Sequence, residues 1–309
     1  MICKVCMGNL TPLLTLPDMP SVAQYLPDYQ KLSEDRGITL DINQCIGCDL
    51  VQLTNKPVSY WRESIRYQLS SEMGDFRVEQ LDKLRKDFGL KSVVEIGRNP
   101  VASTVPYDGF LLLDSLEHVP DPNFLLDTAH KSIREGGVGI VEVPNFDMIL
   151  KKNLISEFML DHLFYFTAQT LRRTLELNGF NVLEIKPVWK DYVLSALVRK
   201  RKKLDLSNLS LDETKIKGFI KEGKTAIWGA GHQALAVMSL LKLDPVQIKY
   251  VVDDSPLKQG RYTPVTHIPI VPPKALVTDP VEALLVICGS YSEEVLKKAQ
   301  EYKVEVMVL

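Results

Sequence analysis

Short apolar runs, each closed by glycine, proline or an acidic residue, set the rhythm of the middle of this chain. "VVEI" at Val93, "GFLLLD" at Gly109 and "GVGIVEVP" at Gly137 lack polar alternation, so they read as strands buried on both faces, as in a parallel sheet. Between the last two, "PNFLLDTAHKSIREG" has helical spacing and is predicted to end at Gly136, and "TAQTLRRTLELNG" is predicted as a helix capped by Thr167 and stopped by Gly179. "FNVLEIKPV" and "YVLSALVRK" alternate and predict a closing hairpin. The stretch from Pro57 to Leu90 is helical in spacing, with Gly74 as a break. The alternation then restarts: "KTAIWGAGHQALAVMSLLK" predicts strand, Gly-rich turn and helix, and "IKYVVDD", "ALLVICG" and "VEVMVL" predict further buried strands. The fold class is α/β, with two such units in succession.

These breaks divide the 309 residues into a Cys- and Pro-rich module at 1–56, a helical segment plus α/β domain at 57–198, a charged linker with a short helix at 199–222, and a second α/β domain at 223–309. A formal net charge of -2 gives no electrostatic footprint for nucleic acid or an anionic membrane. The basic run "RKRKK" at Arg199 reads as solvated linker. No apolar run approaches the roughly 18 residues of a membrane span, and the N-terminus lacks a basic segment followed by an apolar one. No nucleic-acid or membrane partner is expected, and the location expected is the cytoplasm.

Cys3, Cys6, Cys45 and Cys48 form two C-x2-C hooks. Each hook places two thiolates on one tight turn, and four thiolates make a closed tetrahedral shell for structural zinc. Disulfides are disfavoured in a reducing compartment. Cys288, alone in "LLVICG", reads as a small buried hydrophobe.

In sequence order, "CKVC…DINQCIGCDLVQL", "EIGRNP", "LLDSLEHVPDP", "GIVEVPNF", "DHLFYFT" and "GAGHQALAVMSLLKL…YVVDDSPLKQGRYTPVTHIPIVPP" resemble the three-domain, zinc-containing nucleotide-sugar C-methyltransferases. The resemblance implies a small N-terminal zinc module, a Rossmann-like methyltransferase domain and a C-terminal Rossmann-like domain binding a nucleotide-linked sugar. It also implies S-adenosylmethionine as methyl donor and methylation next to a keto-sugar carbonyl. His162 with Asp161 matches the family's acid–histidine pair, with Tyr165 just beyond, and Tyr67 matches a substrate-contacting tyrosine; Met159 stands where the family has a tyrosine.

The chain departs from that family between Gly97 and Tyr107, where nine residues remain. A helix-containing crossover to a parallel strand takes a dozen or more, so the methyltransferase domain is read as truncated, without the acidic strand that would hold the ribose. The expectation drawn here is therefore that S-adenosylmethionine is not bound and that the site only moves a proton next to a keto-sugar carbonyl, as an epimerase or isomerase. His162 is the expected base, oriented by Asp161, and His118, at the end of "GFLLLD", the expected acid or enolate stabiliser, with Glu117 beside it. Two alternatives stand beside this: a methyltransferase with a compacted or partner-completed cofactor pocket, and a non-catalytic sugar-nucleotide-binding or scaffold protein. His130 is read as a surface residue. In the last domain Gly229, Gly231 and Ala234 form a G-x-G-x-x-A turn, with His232 at the helix start, Asp253 at the spacing of a ribose acid, and Lys258 and Arg261 available to phosphate. The same glycines would equally serve tight strand–helix packing.

Overall fold

In the computed structural model every residue is described except 25, 64–69 and 101–104. Two compact units emerge, Met1–Leu204 and Asp205–Leu309. The first holds two sheets. One is antiparallel, in the order β1 (Leu10–Met19), β2 (Ile38–Cys45), β3 (Val51–Leu53) and β7 (Phe164–Tyr165). Its last pairing joins Gln52 to Phe164 and Val51 to Tyr165, so the cysteine-bearing segment and the middle of the chain share one sheet and one apolar core.

The second sheet runs β4 (Val93–Glu95), β5 (Tyr107–Leu113), β6 (Ile133–Pro144), β9 (Val193–Lys200) and β8 (Phe180–Val188). Its first three strands are parallel and the last two form the expected antiparallel hairpin. Helices α1 (Ser71–Phe88), α2 (Pro122–Ser132), α3 (Phe146–Lys151) and α4 (Ala168–Leu177) complete this unit. Leu125, Leu126 and Ala129 of α2 and Leu171 and Leu175 of α4 are buried in the same core as Phe110, Leu112 and Phe180 of the strands. Burying each large side chain is worth about 1.5–3 kcal/mol. Gly139 is needed for this packing: a Cβ there would lie 2.1 Å from the Phe110 ring.

Thr167 caps α4 as predicted, in a reciprocal box with Thr170. Two local expectations differ. Gly74 sits inside α1, because one glycine costs a helix only about 1 kcal/mol and Ser70 caps the turn just before it. Helix α2 stops at Ser132, earlier than predicted, because Ile133 turns extended (φ -119°, ψ 151°) and joins β6.

In the second unit α5 (Glu213–Phe219) precedes an all-parallel sheet in the order β12 (Ile270–Val271), β11 (Tyr250–Val252), β10 (Thr225–Trp228), β13 (Ala283–Val286) and β14 (Glu305–Val308). Helices α6 (His232–Leu240), α7 (Ala275–Thr278) and α8 (Ser292–Ala299) connect the strands. Every residue of β10, β11 and β13 is buried, which explains the unbroken apolar runs.

Candidate functional site

The loop after β5 brings Glu117 and His118 against the segment that carries Asp161 and His162. The Glu117 carbonyl accepts from the backbone N–H of Leu163 (2.7 Å) and Phe164 (3.3 Å), pinning that segment in place. The His118 and His162 rings meet edge to face with centroids 4.7 Å apart. One donor atom each from Glu117, His118 and His162 lies within 4.8 Å of the others. The Glu117 side chain is 2% exposed and its Oε2 has no hydrogen-bond partner. Burial, with Asp114 nearby, pushes the Glu117 carboxyl up to about 8. Burial, aided by the charge of Arg98, pulls His162 down to about 4. Burial, His162 and Arg98 pull His118 down further still. Both imidazoles are thus neutral at pH 7, and His162 is more strongly perturbed than the sequence suggests.

Asp161 does not do what the sequence suggests. Its carboxylate accepts from the Tyr60 hydroxyl at 2.9 and 3.0 Å, while its backbone carbonyl accepts from His118 Nδ1 at 2.7 Å. The residue that orients a histidine therefore orients His118, through its main chain. Tyr60 was missed because it lies 101 residues from Asp161, and only its buried aromatic character marks it. Tyr165 lies in the core against Phe158 and Phe146, its hydroxyl occupied by the peptide of Met159. Tyr67 lies outside the described residues. His130 is half-buried: its ring packs edge-on against Phe180, 5.5 Å between centroids.

Beside this cluster, the ends of β4 and β5 form one wall on which a cofactor would lie. No heavy atom stands within 4 Å of where a side chain on Gly97 would start. After β5, Asp114 adopts φ 45° and accepts from Arg77 at 3.1 Å, and Arg77 also pairs with the buried Glu142. Strand β4 pairs directly with β5 at the sheet edge, and among the described residues no strand lies beyond it to carry a ribose acid. The open space at Gly97 and the adjoining strand ends leave room for a ligand on this side.

The four cysteines converge as the spacing requires. Sγ–Sγ separations of 3.4 Å (Cys6–Cys45) and 3.7 Å (Cys3–Cys48) approach the roughly 3.8 Å edge of a tetrahedron with 2.3 Å arms. Backbone N–H groups of Val5, Gly8 and Gly47 point at the sulfurs of Cys3, Cys6 and Cys45. A Cβ on Gly8 would come within 3.2 Å of Cys45 Sγ, so glycine keeps the cradle open.

The Gly-rich turn of the second unit is differently made. Gly229, at φ 113°, lets β10 approach the strand beside it, since a Cβ there would meet the Ile287 carbonyl at 2.5 Å. Asp253 Oδ2 accepts from Ala230 N–H (2.8 Å) and Lys258 Nζ (2.9 Å), and Oδ1 from Ser255 N–H (2.9 Å). Burial opposes its ionisation, but these donors hold it below the usual carboxylate range. Asp253 closes the turn with its own oxygens, and Gly231 serves as the N-cap of α6, which begins at the exposed His232. A cavity of about 420 Å³ opens there, lined by His232, Asp253, Lys258 and Tyr291 among others; Arg261 is exposed and does not line it.

Residues 40–185 match the family model of a methyltransferase domain, and residues 208–306 that of the C-methyltransferase C-terminal domain. The C-methyltransferase NovU of Streptomyces niveus is 22% identical over 219 residues, covering 60% of this chain and 52% of that protein. The chain thus spans about half the length of that curated relative. Among solved structures, the N-methyltransferase NodS of Bradyrhizobium japonicum WM9, in complex with S-adenosyl-L-homocysteine, superposes with a TM-score of 0.34 at 11% identity, over 46% of this chain and 95% of that one. An S-adenosylmethionine-dependent methyltransferase of Mesorhizobium loti gives 0.26 at 14%, over 32% and 64%.

The sequence matches support the resemblance to the C-methyltransferase family and correct two expectations. The methyltransferase-domain match runs straight across the shortened stretch between Gly97 and Tyr107, and the relative matched is a C-methyltransferase. Loss of S-adenosylmethionine and an epimerase or isomerase activity are both set aside. A strand beyond β4 is one source of ribose contacts, while the turn at Gly97 and the ends of β4 and β5 remain. Among the described residues no helix is long and apolar enough to cross a membrane.

Proposed function

We propose that this chain is an S-adenosylmethionine-dependent C-methyltransferase acting on a carbon next to the carbonyl of a nucleotide-linked keto-sugar. The observation that carries the reading is the succession, in one chain, of a methyltransferase-domain match and a C-methyltransferase C-terminal match. Gly97, Asp114 and Ser115, at the ends of β4 and β5, are the residues that would face the cofactor, which when bound supplies an electrophilic methyl group. The chain's own contribution is to prepare the carbon. His162 is neutral at pH 7 and its ring makes no hydrogen bond among the described residues, so its lone pair can take the α-proton. Arg98, whose charge reaches both histidines, offsets negative charge growing on the carbonyl oxygen. The buried surroundings exclude water from that charge.

Structural zinc belongs to the same proposal. The sulfur separations, the backbone N–H groups aimed at sulfur and the glycine cradle support a closed four-thiolate shell that folds the N-terminal segment and does no chemistry. The cavity lined by His232 and Lys258 is proposed as a lesser part of the sugar-nucleotide site, with Asp253 holding the turn and Lys258 in place.

Calorimetry with S-adenosylmethionine, followed by a labelled-methyl assay over a panel of nucleotide-linked keto-sugars, tests the reading. Binding below millimolar concentration and label in the sugar are expected. No binding at millimolar concentration, with protein shown to be folded, would overturn it.

A further inference from the structure

The hydrogen bonds around His118 fix more than its orientation. A carbonyl oxygen only accepts, so the 2.7 Å contact to Asp161 O places the ring proton on Nδ1. With the ring neutral, Nε2 then carries a lone pair. Glu117 Oε1 lies 3.5 Å from that nitrogen. Were Glu117 ionised, two acceptors would confront each other in a buried site, with Oε2 of the same carboxylate also unpartnered. Such an arrangement would leave a charge desolvated and unpaired, among the costliest states in a protein interior.

We infer that Glu117 is a carboxylic acid whose O–H is donated to His118 Nε2. The ring of His118 is then held at both nitrogens, by Glu117 on one side and the Asp161 carbonyl on the other, with Tyr60 steadying Asp161 in turn. His118 is a positioning residue and not the acid of the reaction, and Glu117 is a positioning residue acting through it. His162, edge-on to the locked ring, is left with the proton chemistry. Only this last assignment rests on the methyl-transfer reading; the hydrogen bond does not. Burial, the largest influence, and Asp114 favour the protonated form of Glu117 and outweigh a backbone hydrogen bond and Arg98, which oppose it, while His118 and His162 are neutral. Tyr192, the other ionisable group that senses it, stays protonated.

Glutamine separates this from the alternatives, because its amide reproduces the donor and acceptor of a protonated carboxyl but not the charge of an ionised one. Ring-nitrogen NMR of the full chain labelled at histidine should show His118 as a single Nδ1–H tautomer in the native protein and in Glu117→Gln. In Glu117→Ala the tautomers should mix. Raising the pH through about 8 should disturb the His118 signal in the native protein, as Glu117 loses its proton, but not in Glu117→Gln. In the labelled-methyl assay, kcat should fall over the same range for the native protein only. The inference is overturned if Glu117→Gln matches Glu117→Ala, if the carboxyl carbon of Glu117 titrates below pH 6, or if dialysed protein retains a divalent ion that Glu117→Gln loses. If the NMR pattern holds while no sugar is methylated, the proposed reaction fails and the hydrogen bond stands.

Discussion

Each unit of this molecule places polar side chains at the carboxyl ends of parallel strands, and the two do so in opposite ways. Beside β5, Glu117 Oε2 is buried without a partner and three donor atoms crowd within 4.8 Å. Beside β10 and β11, Asp253 spends both oxygens on neighbouring N–H groups and Lys258. Judged by motif alone the second site is the better one, since it has the glycine fingerprint and the acid at the right distance. Physical chemistry favours the first: polar groups left short of partners in the interior are costly, and they persist where a ligand or a reaction uses them. A fingerprint states what the backbone can do, and the bonding state of its acid states whether anything is left to bind with.

The largest effect should separate the units outright. Cys45→Ser should abolish binding of about one zinc per chain, a loss on the order of 10 kcal/mol of coordination free energy. It should melt the N-terminal sheet while the unfolding transition of residues 205–309 persists. Elemental analysis and two-transition calorimetry check this, and loss of both transitions together would break the comparison.

Next in size is His162→Ala, which should lower methyl transfer about 10² to 10⁴-fold, roughly 3–5 kcal/mol of barrier, with little change in S-adenosylmethionine affinity. The matching change in the second unit, His232→Ala, should move the rate far less. Equal losses would erase the distinction.

Asp253→Ala should act on stability. It strands the Ala230 N–H and the Lys258 ammonium, at a cost of about 1–3 kcal/mol seen as a lower Tm of the second unit alone. A collapse of sugar-nucleotide binding with unchanged Tm would instead make this acid a ligand contact.

The smallest effect concerns acid. Asp108 accepts from Arg134 and from the N–H groups of Ser92 and Lys91, which together hold its carboxyl well below the usual range. A depressed carboxylate stabilises the fold above its unfolded pKa, near 3.9, and the gain drains away as pH falls toward the folded value. Asp108→Asn should therefore weaken the first unit at neutral pH and flatten the acid side of its stability curve, read from Tm against pH.

Much of the fold was legible because its signals are local. Thr167 announces the start of α4 through a capping box that closes three residues on at Thr170, and "ALLV" can be a central strand because all four side chains are buried. The four cysteines were legible because two C-x2-C hooks each fix a pair of sulfurs on one turn, and the structure brings the two pairs together. What the sequence hid depends on distant partners. Tyr60 finds Asp161 across 101 residues, Gln52 pairs with Phe164, and Asp161 turns its carboxylate away from the histidine next to it. The reading of the cofactor failed for a related reason: a nine-residue gap showed what had left the sheet and not how much of the wall remained.

The pairing of β3 with β7 also sets an order in time. As the chain leaves the ribosome, β1, β2 and β3 appear together, but the strand that completes their sheet follows more than a hundred residues later. The hook at Cys3 and Cys6 can meet Cys45 and Cys48 early, while Leu53 must wait for the Leu163 carbonyl. Closing so long a loop is slow, and until it closes Val51 and Leu53 lie at an open strand edge. A metal taken up early would hold that nascent edge in register through the interval when it is most exposed to aggregation.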